Sequence, residues 1–173
     1  SEMCIRDRSI TTLSEETRRM MEPRTASVSR RLKTIKSLSD NGIPVRVMLA
    51  PIIPGINSHE ILKTAKLVSE HGALDISHTI VRLNGAVGEI FADWVHKTFP
   101  DKAAKILNQI KSCHNNSLND SRFGLRMKGE GPIASQINHL MALAKRRYFR
   151  DKVLPHLSRD EFNSCPTGQL RLF

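Results

Sequence analysis

The amino-acid sequence predicts an α/β fold with a parallel sheet, followed by a helical second half. Three observations predict it. Short β-branched apolar segments alternate with amphipathic segments of helical period between Ser9 and Leu83. A helical segment follows each of these strands, as parallel pairing requires, because a crossover must carry the chain back to the same end of the sheet. After Leu83 the strand pattern stops and apolar stripes at helical spacing take over.

Ser9-Ile10-Thr11-Thr12-Leu13 alternates polar and apolar residues and reads as the end of a first strand. Ser14 can cap the next helix, with Glu15 and Glu16 in its first turn near the positive end of the helix dipole. Pro23 ends that helix by pushing Glu22 away from helical geometry. A second helix starts near Ser27 or Ser29. Val28, Leu32, Ile35 and Leu38 recur on one face, Arg30, Arg31, Lys33 and Lys36 face out, and Asn41-Gly42 stops it. Ile43–Ala50 is short, apolar and singly charged, as a buried parallel strand should be. Pro51-Ile52-Ile53-Pro54-Gly55 then makes a stiff apolar loop. Asn57 with Glu60 three residues on has the form of a capping box. Ile61, Ala65, Leu67 and Val68 supply the buried side of that helix, His71-Gly72 closes it, and Leu74–Leu83 is the third strand.

The second half carries three stripes. Val87, Ile90, Phe91, Trp94 and Val95 form one; Ala103, Ile106, Leu107 and Ile110 form another; Ile133, Ile137, Leu140, Met141, Ala144 and Tyr148 form the third. Between the last two, the loop at 114–132 is long for a structureless connection, and such loops are functional or disordered. The tail Ser164–Phe173 ends in Leu170-Arg171-Leu172-Phe173, a pattern suited to docking on the body.

Composition narrows the function. A chain of 173 residues with 39% hydrophobic content can bury one ordinary core. No apolar run approaches the roughly 20 residues that cross a bilayer, and the start lacks the apolar middle of a secretory signal, so a cytoplasmic setting and no membrane partner are expected. Cys4, Cys113 and Cys165 are too scattered for a disulfide framework or a CxxC-type metal loop. The net charge of +10, carried in stretches such as Arg18-Arg19, Arg30-Arg31-Leu32-Lys33 and Lys145-Arg146-Arg147, suits a nucleic acid or other polyanion and equally suits solvated helix faces. One Trp and one Tyr do not suggest a stacking platform for single strands.

No Gly-rich phosphate fingerprint follows a strand, and no histidine sits beside a nucleophile elbow. Cys113-His114 offers at most two ligands where structural zinc takes about four. Arg122–Arg126 and Lys128–Gly131 combine guanidinium groups with glycine N–H groups; they could hold an anion or form a flexible basic loop. The strand ends are more telling, because α/β sheets collect ligands there. Thr11-Thr12 offers hydroxyls, Ala50-Pro51 an apolar rim, and Arg82-Leu83 a cation and a backbone edge. A ligand with a sugar, a flat ring and a carboxylate fits that mix.

SITTLSEETRRMMEPR, GIPVRVMLAPIIPGINSHEI, VRLNGAVGEIFADWVHKTFPDKA, CHNNSLNDSRFGLRMKGEGPIA and the closing QLRLF, taken in order, resemble the C-terminal half of a radical S-adenosylmethionine protein of the spore photoproduct lyase-like ("DNA repair photolyase") branch. The resemblance runs from about Ser9 to Phe173. It implies the C-terminal half of a partial (β/α)6 TIM-like barrel, with Ser9–Leu13 ending its fourth strand, Ile43–Ala50 its fifth and Leu74–Leu83 its sixth. It divides the chain into late β/α units at 9–86 and a helical extension at 87–173. S-adenosylmethionine is then the implied ligand, with Ser9, Thr11, Met48, Ala50, Pro51 and Arg82 cradling it and Glu22 and Arg24 of the Glu-Pro-Arg motif in support. The family reaction is reductive cleavage of S-adenosylmethionine by a [4Fe–4S] cluster, giving a 5′-deoxyadenosyl radical that abstracts hydrogen.

This chain departs from the family in three places. It has no CxxxCxxC cluster loop, so no metal site is expected in it and the chain alone is expected to be inactive. Asn115-Asn116 stands where a glycine is usual; Asn tolerates left-handed backbone, which lets the turn survive. Residues 1–8 have no place in the family pattern and resemble a peptide translated from sequencing-adaptor DNA. Two readings follow: a fragment of a radical S-adenosylmethionine enzyme, or a stand-alone basic α/β module that binds nucleic acid without catalysis.

Overall fold

The structure, a computed structural model, describes residues 6–155. Three parallel strands, β1 (Arg6–Ser9), β2 (Val45–Ile52) and β3 (Asp75–Ile80), lie side by side in that order. Helices α1 (Glu15–Met21) and α2 (Val28–Asp40) connect β1 to β2, and α3 (Ile61–Glu70) connects β2 to β3. Then come α4 (Ala86–Thr98), α5 (Ala103–Ser112) and α6 (Gly131–Tyr148). The fold is α/β, with a three-stranded parallel sheet and six helices among the described residues, consistent with part of a TIM-like barrel.

The sheet has two unlike faces. Val45, Val47 and Leu49 of β2, with Ile76 and Ile80 of β3 and Ile10 just after β1, are buried against Val28, Leu32 and Ile35 of α2, Ile61, Ala65 and Val68 of α3, and Ala134, Ile137, Met141 and Ala144 of α6. The opposite face is polar and only half-buried. Arg46 pairs with Asp75 across the strands, Met48 lies beside Ser9 and Ser77, and Thr79 stands further along β3. Arg46 Nε is 3.3 Å from Asp75 Oδ2, an ion pair without hydrogen-bond alignment.

Helix ends follow local chemistry at two places and depart from it at a third. Ser14 Oγ accepts from Thr17 N–H at 3.1 Å, and Ser27 Oγ from Arg30 N–H at 3.3 Å. The capping box expected at Asn57 and Glu60 does not form. Asn57 is buried and cross-braces the chain instead, its Oδ1 accepting from Ile53 N–H at 2.6 Å while Nδ2 donates to Thr11 O and Pro51 O. Glu60 reaches back to Thr12 Oγ1 and Leu13 N–H, both at 2.8 Å. Long-range donors, otherwise left without partners in a buried turn, outcompete the helix's own N–H groups.

The first strand sits earlier than the sequence predicts. It is Arg6–Ser9 rather than Ser9–Leu13, in register Arg6↔Val45 through Ser9↔Met48. Arg6, Asp7 and Arg8, which the family resemblance leaves outside its pattern, therefore pair with β2. Asp7 and Arg8 are exposed there, as an edge strand with one side open to solvent allows. Residues 1–5 with Cys4, and the tail Ser164–Phe173 with Cys165, lie outside the described residues. The second strand runs through Pro51 to Ile52, and its register with β3 shifts where the proline has no N–H to give the ladder.

The end of α6 is fastened to α3. Ser69 Oγ donates to Tyr148 O at 2.7 Å, and Lys152 Nζ donates to Ser69 O and Ala73 O at 2.6 and 2.9 Å. His78 of β3 bonds Asn138 of α6 at 2.9 Å.

Candidate functional site

A cavity of about 720 Å³ opens at the C-terminal ends of β2 and β3. Its floor is Ala50, Pro51, Ile53 and Thr79–Leu83; Met20, Met21 and Glu22 at the end of α1 form one wall, and α4 forms another. The size suits a small ligand of drug-like dimensions. The walls are apolar and aromatic, and Glu22, Thr79 and Arg82 are the polar side chains among them.

Glu22 is positioned by three segments. Thr11 Oγ1 donates to its Oε1 at 2.7 Å, while Arg31 Nη2 and Thr25 Oγ1 donate to Oε2 at 2.6 and 3.3 Å. Burial works to raise its pKa, but the hydrogen bonds from Thr11 and Arg31 and the charge of Arg31 outweigh it and leave the carboxyl below the usual range. Glu22 is therefore an ionised acceptor at the cavity wall, with capacity on Oε1 beyond the Thr11 bond. Arg31 also donates to Ser9 O at 3.1 Å, so one guanidinium ties α2 to both Glu22 and the end of β1. Buried Arg18 holds the turn between α1 and α2, donating to Glu22 O and Thr25 O at 3.2 and 3.0 Å and pairing with Glu15 at 2.7 Å.

Of the residues expected at a ligand, Glu22, Ala50, Pro51 and Arg82 come together on this cavity. Thr11 stands behind it, bonded to Glu22 and weakly to Ala50 O. Ser9 Oγ also reaches Ala50 O, at 3.3 Å. Met48 lies on the polar sheet face below the rim and does not line the cavity. Arg24 is exposed and makes no side-chain hydrogen bond or ion pair among the described residues; Arg31 and Arg18 are the arginines that bond to Glu22. Sequence reasoning placed Arg31 on an outward face because its helical position is polar. Only the fold brings Glu22 within its reach.

The strand exit is lined by the long loop. Ile80 N–H donates to Met127 O and Leu83 N–H to Leu118 O, both at 3.0 Å, and the fully buried His114 donates from Nε2 to Val81 O at 2.7 Å. Arg82 N–H and C=O bond to none of the described residues, and its guanidinium makes one long contact, 3.5 Å to Asp120 O. Asn115 and Asn116 both adopt left-handed backbone, φ 53° and 61°. Two of the groups offered for anion binding in the loop are already engaged. Arg122 is spent on Asp120 and Glu130, and Gly129 N–H donates to Leu125 O. Hydrogen bonds from the Arg122 side chain and backbone hold the Asp120 carboxyl down at about 2. Cys113 is buried, which pushes its thiol pKa up, away from reactivity and metal ligation.

Residues 9–68 match the family model described as the Radical SAM superfamily. The matched stretch runs from the end of β1 through most of α3 and contains Glu22, Ala50 and Pro51, all on the cavity. It supports the superfamily and does not distinguish its branches. No curated protein and no solved structure matches the chain. Among the described residues, no group of three or more His, Cys, Asp or Glu is placed to hold a metal ion, and no helix is long and apolar enough to cross a membrane.

Proposed function

We propose that this chain is the late β/α portion of a radical S-adenosylmethionine enzyme of the spore photoproduct lyase-like branch, and that the strand-end cavity receives S-adenosylmethionine. The observation that carries this reading is Glu22: an ionised carboxylate braced by Thr11 and Arg31 at the rim of an apolar cavity, inside the stretch that matches the family. The residues fit the ligand. Ala50, Pro51 and Ile53 give an apolar floor for a flat ring, Glu22 an acceptor for ribose hydroxyls, Arg82 a cation for the carboxylate and its free backbone an edge for hydrogen bonding. Ser9 and Met48 flank the floor, and Arg31 takes the bracing role in place of Arg24.

S-adenosylmethionine, cleaved reductively beside a [4Fe–4S] cluster, supplies radical chemistry in this family. The cluster does not fit the residues described, whose one free thiol is buried, and none of them is assigned as its ligand. What this chain contributes is binding and orientation, and the exclusion of water from one side of the ligand.

Equilibrium dialysis of the 173-residue chain against labelled S-adenosylmethionine tests the reading. Saturable retention, weakened about tenfold by Glu22→Ala through loss of a charge-assisted hydrogen bond, is the expected outcome. No retention, together with DNA binding that falls steeply with salt, would favour the basic nucleic-acid module instead.

A further inference from the structure

The turn after α5 buries a histidine that the cavity does not contain. His114 is withdrawn from solvent, and its backbone is clamped: its N–H donates to Lys111 O at 3.0 Å and its C=O accepts from Ser117 N–H at 3.1 Å. Left-handed Asn115 and Asn116 reverse the chain beside it, and the Cys113 C=O accepts from Glu130 N–H at 3.0 Å where the loop returns. The backbone therefore limits where the ring can go. Nε2 donates to Val81 O at 2.7 Å, while Nδ1 is buried with no partner among the described residues. A buried acceptor without a donor costs stability. An apolar side chain of similar size would fill the space without that cost, so filling space does not account for an imidazole here. The bond to Val81 is what an apolar side chain cannot make.

The consequence falls on Arg82. A trans peptide is planar, and its C=O and N–H point opposite ways. Among the described residues the cis bond is Ala50-Pro51, so both peptides of Arg82 are trans. The Val81 C=O held by His114 lies in one plane with the Arg82 N–H. The Leu83 N–H, held by Leu118 O at 3.0 Å, lies in one plane with the Arg82 C=O. Two bonds from one turn thus fix the direction of both backbone groups of Arg82 and aim them away from that turn. Neither group bonds to a described residue, and Arg82 lines the cavity while His114 and Leu118 do not. Ile80 N–H and Val81 N–H, bonded to Met127 O and Ile52 O at 3.0 and 2.9 Å, hold the strand just before.

We propose that His114 is a positioning residue: by holding the Val81–Arg82 peptide it presets the Arg82 backbone edge that faces the ligand of the cavity. Backbone fixed before binding needs no ordering when the ligand arrives, which strengthens retention without adding a contact. The effect on the ligand rests on the reading of the cavity as the S-adenosylmethionine site. The effect on Arg82 is measured with no ligand present.

Nuclear magnetic resonance of the full chain labelled with nitrogen-15 tests it. The ring nitrogens of His114 should report the Nε2–H tautomer; the Nδ1–H tautomer removes the bond and overturns the proposal without any variant. Amide relaxation then gives the order parameter of the Arg82 N–H. It should be rigid, about 0.85, in the parent and in His114→Gln, whose amide offers a donor at similar reach. In His114→Leu, which loses the donor and the unpaired nitrogen together and should keep the fold, it should fall below about 0.6 while buried Ile76 stays rigid. An Arg82 amide already mobile in the parent, unchanged in His114→Leu, or loosened only together with Ile76 overturns the positioning role. Dialysis against labelled S-adenosylmethionine reads the ligand side: retention should weaken about tenfold in His114→Leu and under about threefold in His114→Gln. Full retention by His114→Leu with a mobile Arg82 amide overturns the proposal and leaves the cofactor reading intact. No retention by the parent, with the expected change in Arg82 order, overturns the cofactor reading and keeps His114 as the residue that sets Arg82.

Discussion

The helix-covered face of the sheet and the ends of its strands are built on opposite terms. The outer side is closed: β2 and β3 present Val45, Val47, Leu49, Ile76 and Ile80 to α2, α3 and α6, and these side chains are almost wholly withdrawn from solvent. At the strand ends, α4 offers the same kind of apolar residue and leaves it open, with Ile90 exposed beside a cavity. Identical chemistry closes a core in one region and lines an open cavity in the other. The difference lies in what covers the residue.

Removing buried volume should break the comparison most strongly. Ile76→Ala, at a fully buried position under α6, should cost about 2–5 kcal/mol in urea denaturation, because the lost methylenes leave a cavity the close-packed layers cannot fill. A loss below about 1 kcal/mol would mean that the outer layer is not closed in solution. The Glu22 junction comes next. Its contribution is full above the ordinary glutamate range, where the unfolded carboxyl is also ionised, and is lost as pH falls through the lower folded value. Glu22→Gln should cost about 1–2 kcal/mol near neutrality and flatten the acid limb of the stability curve. An unchanged acid limb would remove Glu22 as the hub. The smallest effect belongs to Ile90→Ser, expected within about 0.5 kcal/mol of the parent; a larger loss would show that α4 is packed rather than open.

Much of the closed side was legible in the sequence, because it depends on local period. Val28, Leu32 and Ile35 face inward as their spacing demands, Ser14 and Ser27 cap, and β2 and β3 begin within two residues of expectation. The site was legible in outline, since the strand ends can be placed once the strands are known. What escaped were bonds between residues far apart in sequence. Asn57 and Glu60 have the spacing of a helix cap and serve as struts to Thr11, Thr12 and Leu13. Arg31 looks like a solvated charge until Glu22 arrives. The Val87–Val95 stripe is continuous in sequence and divides in space between a core and a cavity. No period announces Arg6–Ser9 as a strand, because pairing with β2 selects it.

The bonds that fasten Tyr148 and Lys152 to Ser69 and Ala73 set an order of events. Ala134, Ile137, Met141 and Ala144 finish the layer over β3 and α3, yet more than fifty residues separate Ile80 from Ala134. On a growing chain all three strands are synthesised well before the helix that covers β3 and α3. Contacts of such sequence separation form late and slow folding. For that interval the apolar backs of β3 and α3 stand uncovered, the condition in which growing chains associate with one another or with chaperones. The protein's exposure to misassembly is therefore set by the time taken to synthesise α4 and α5, two helices that lie between the layer and its roof.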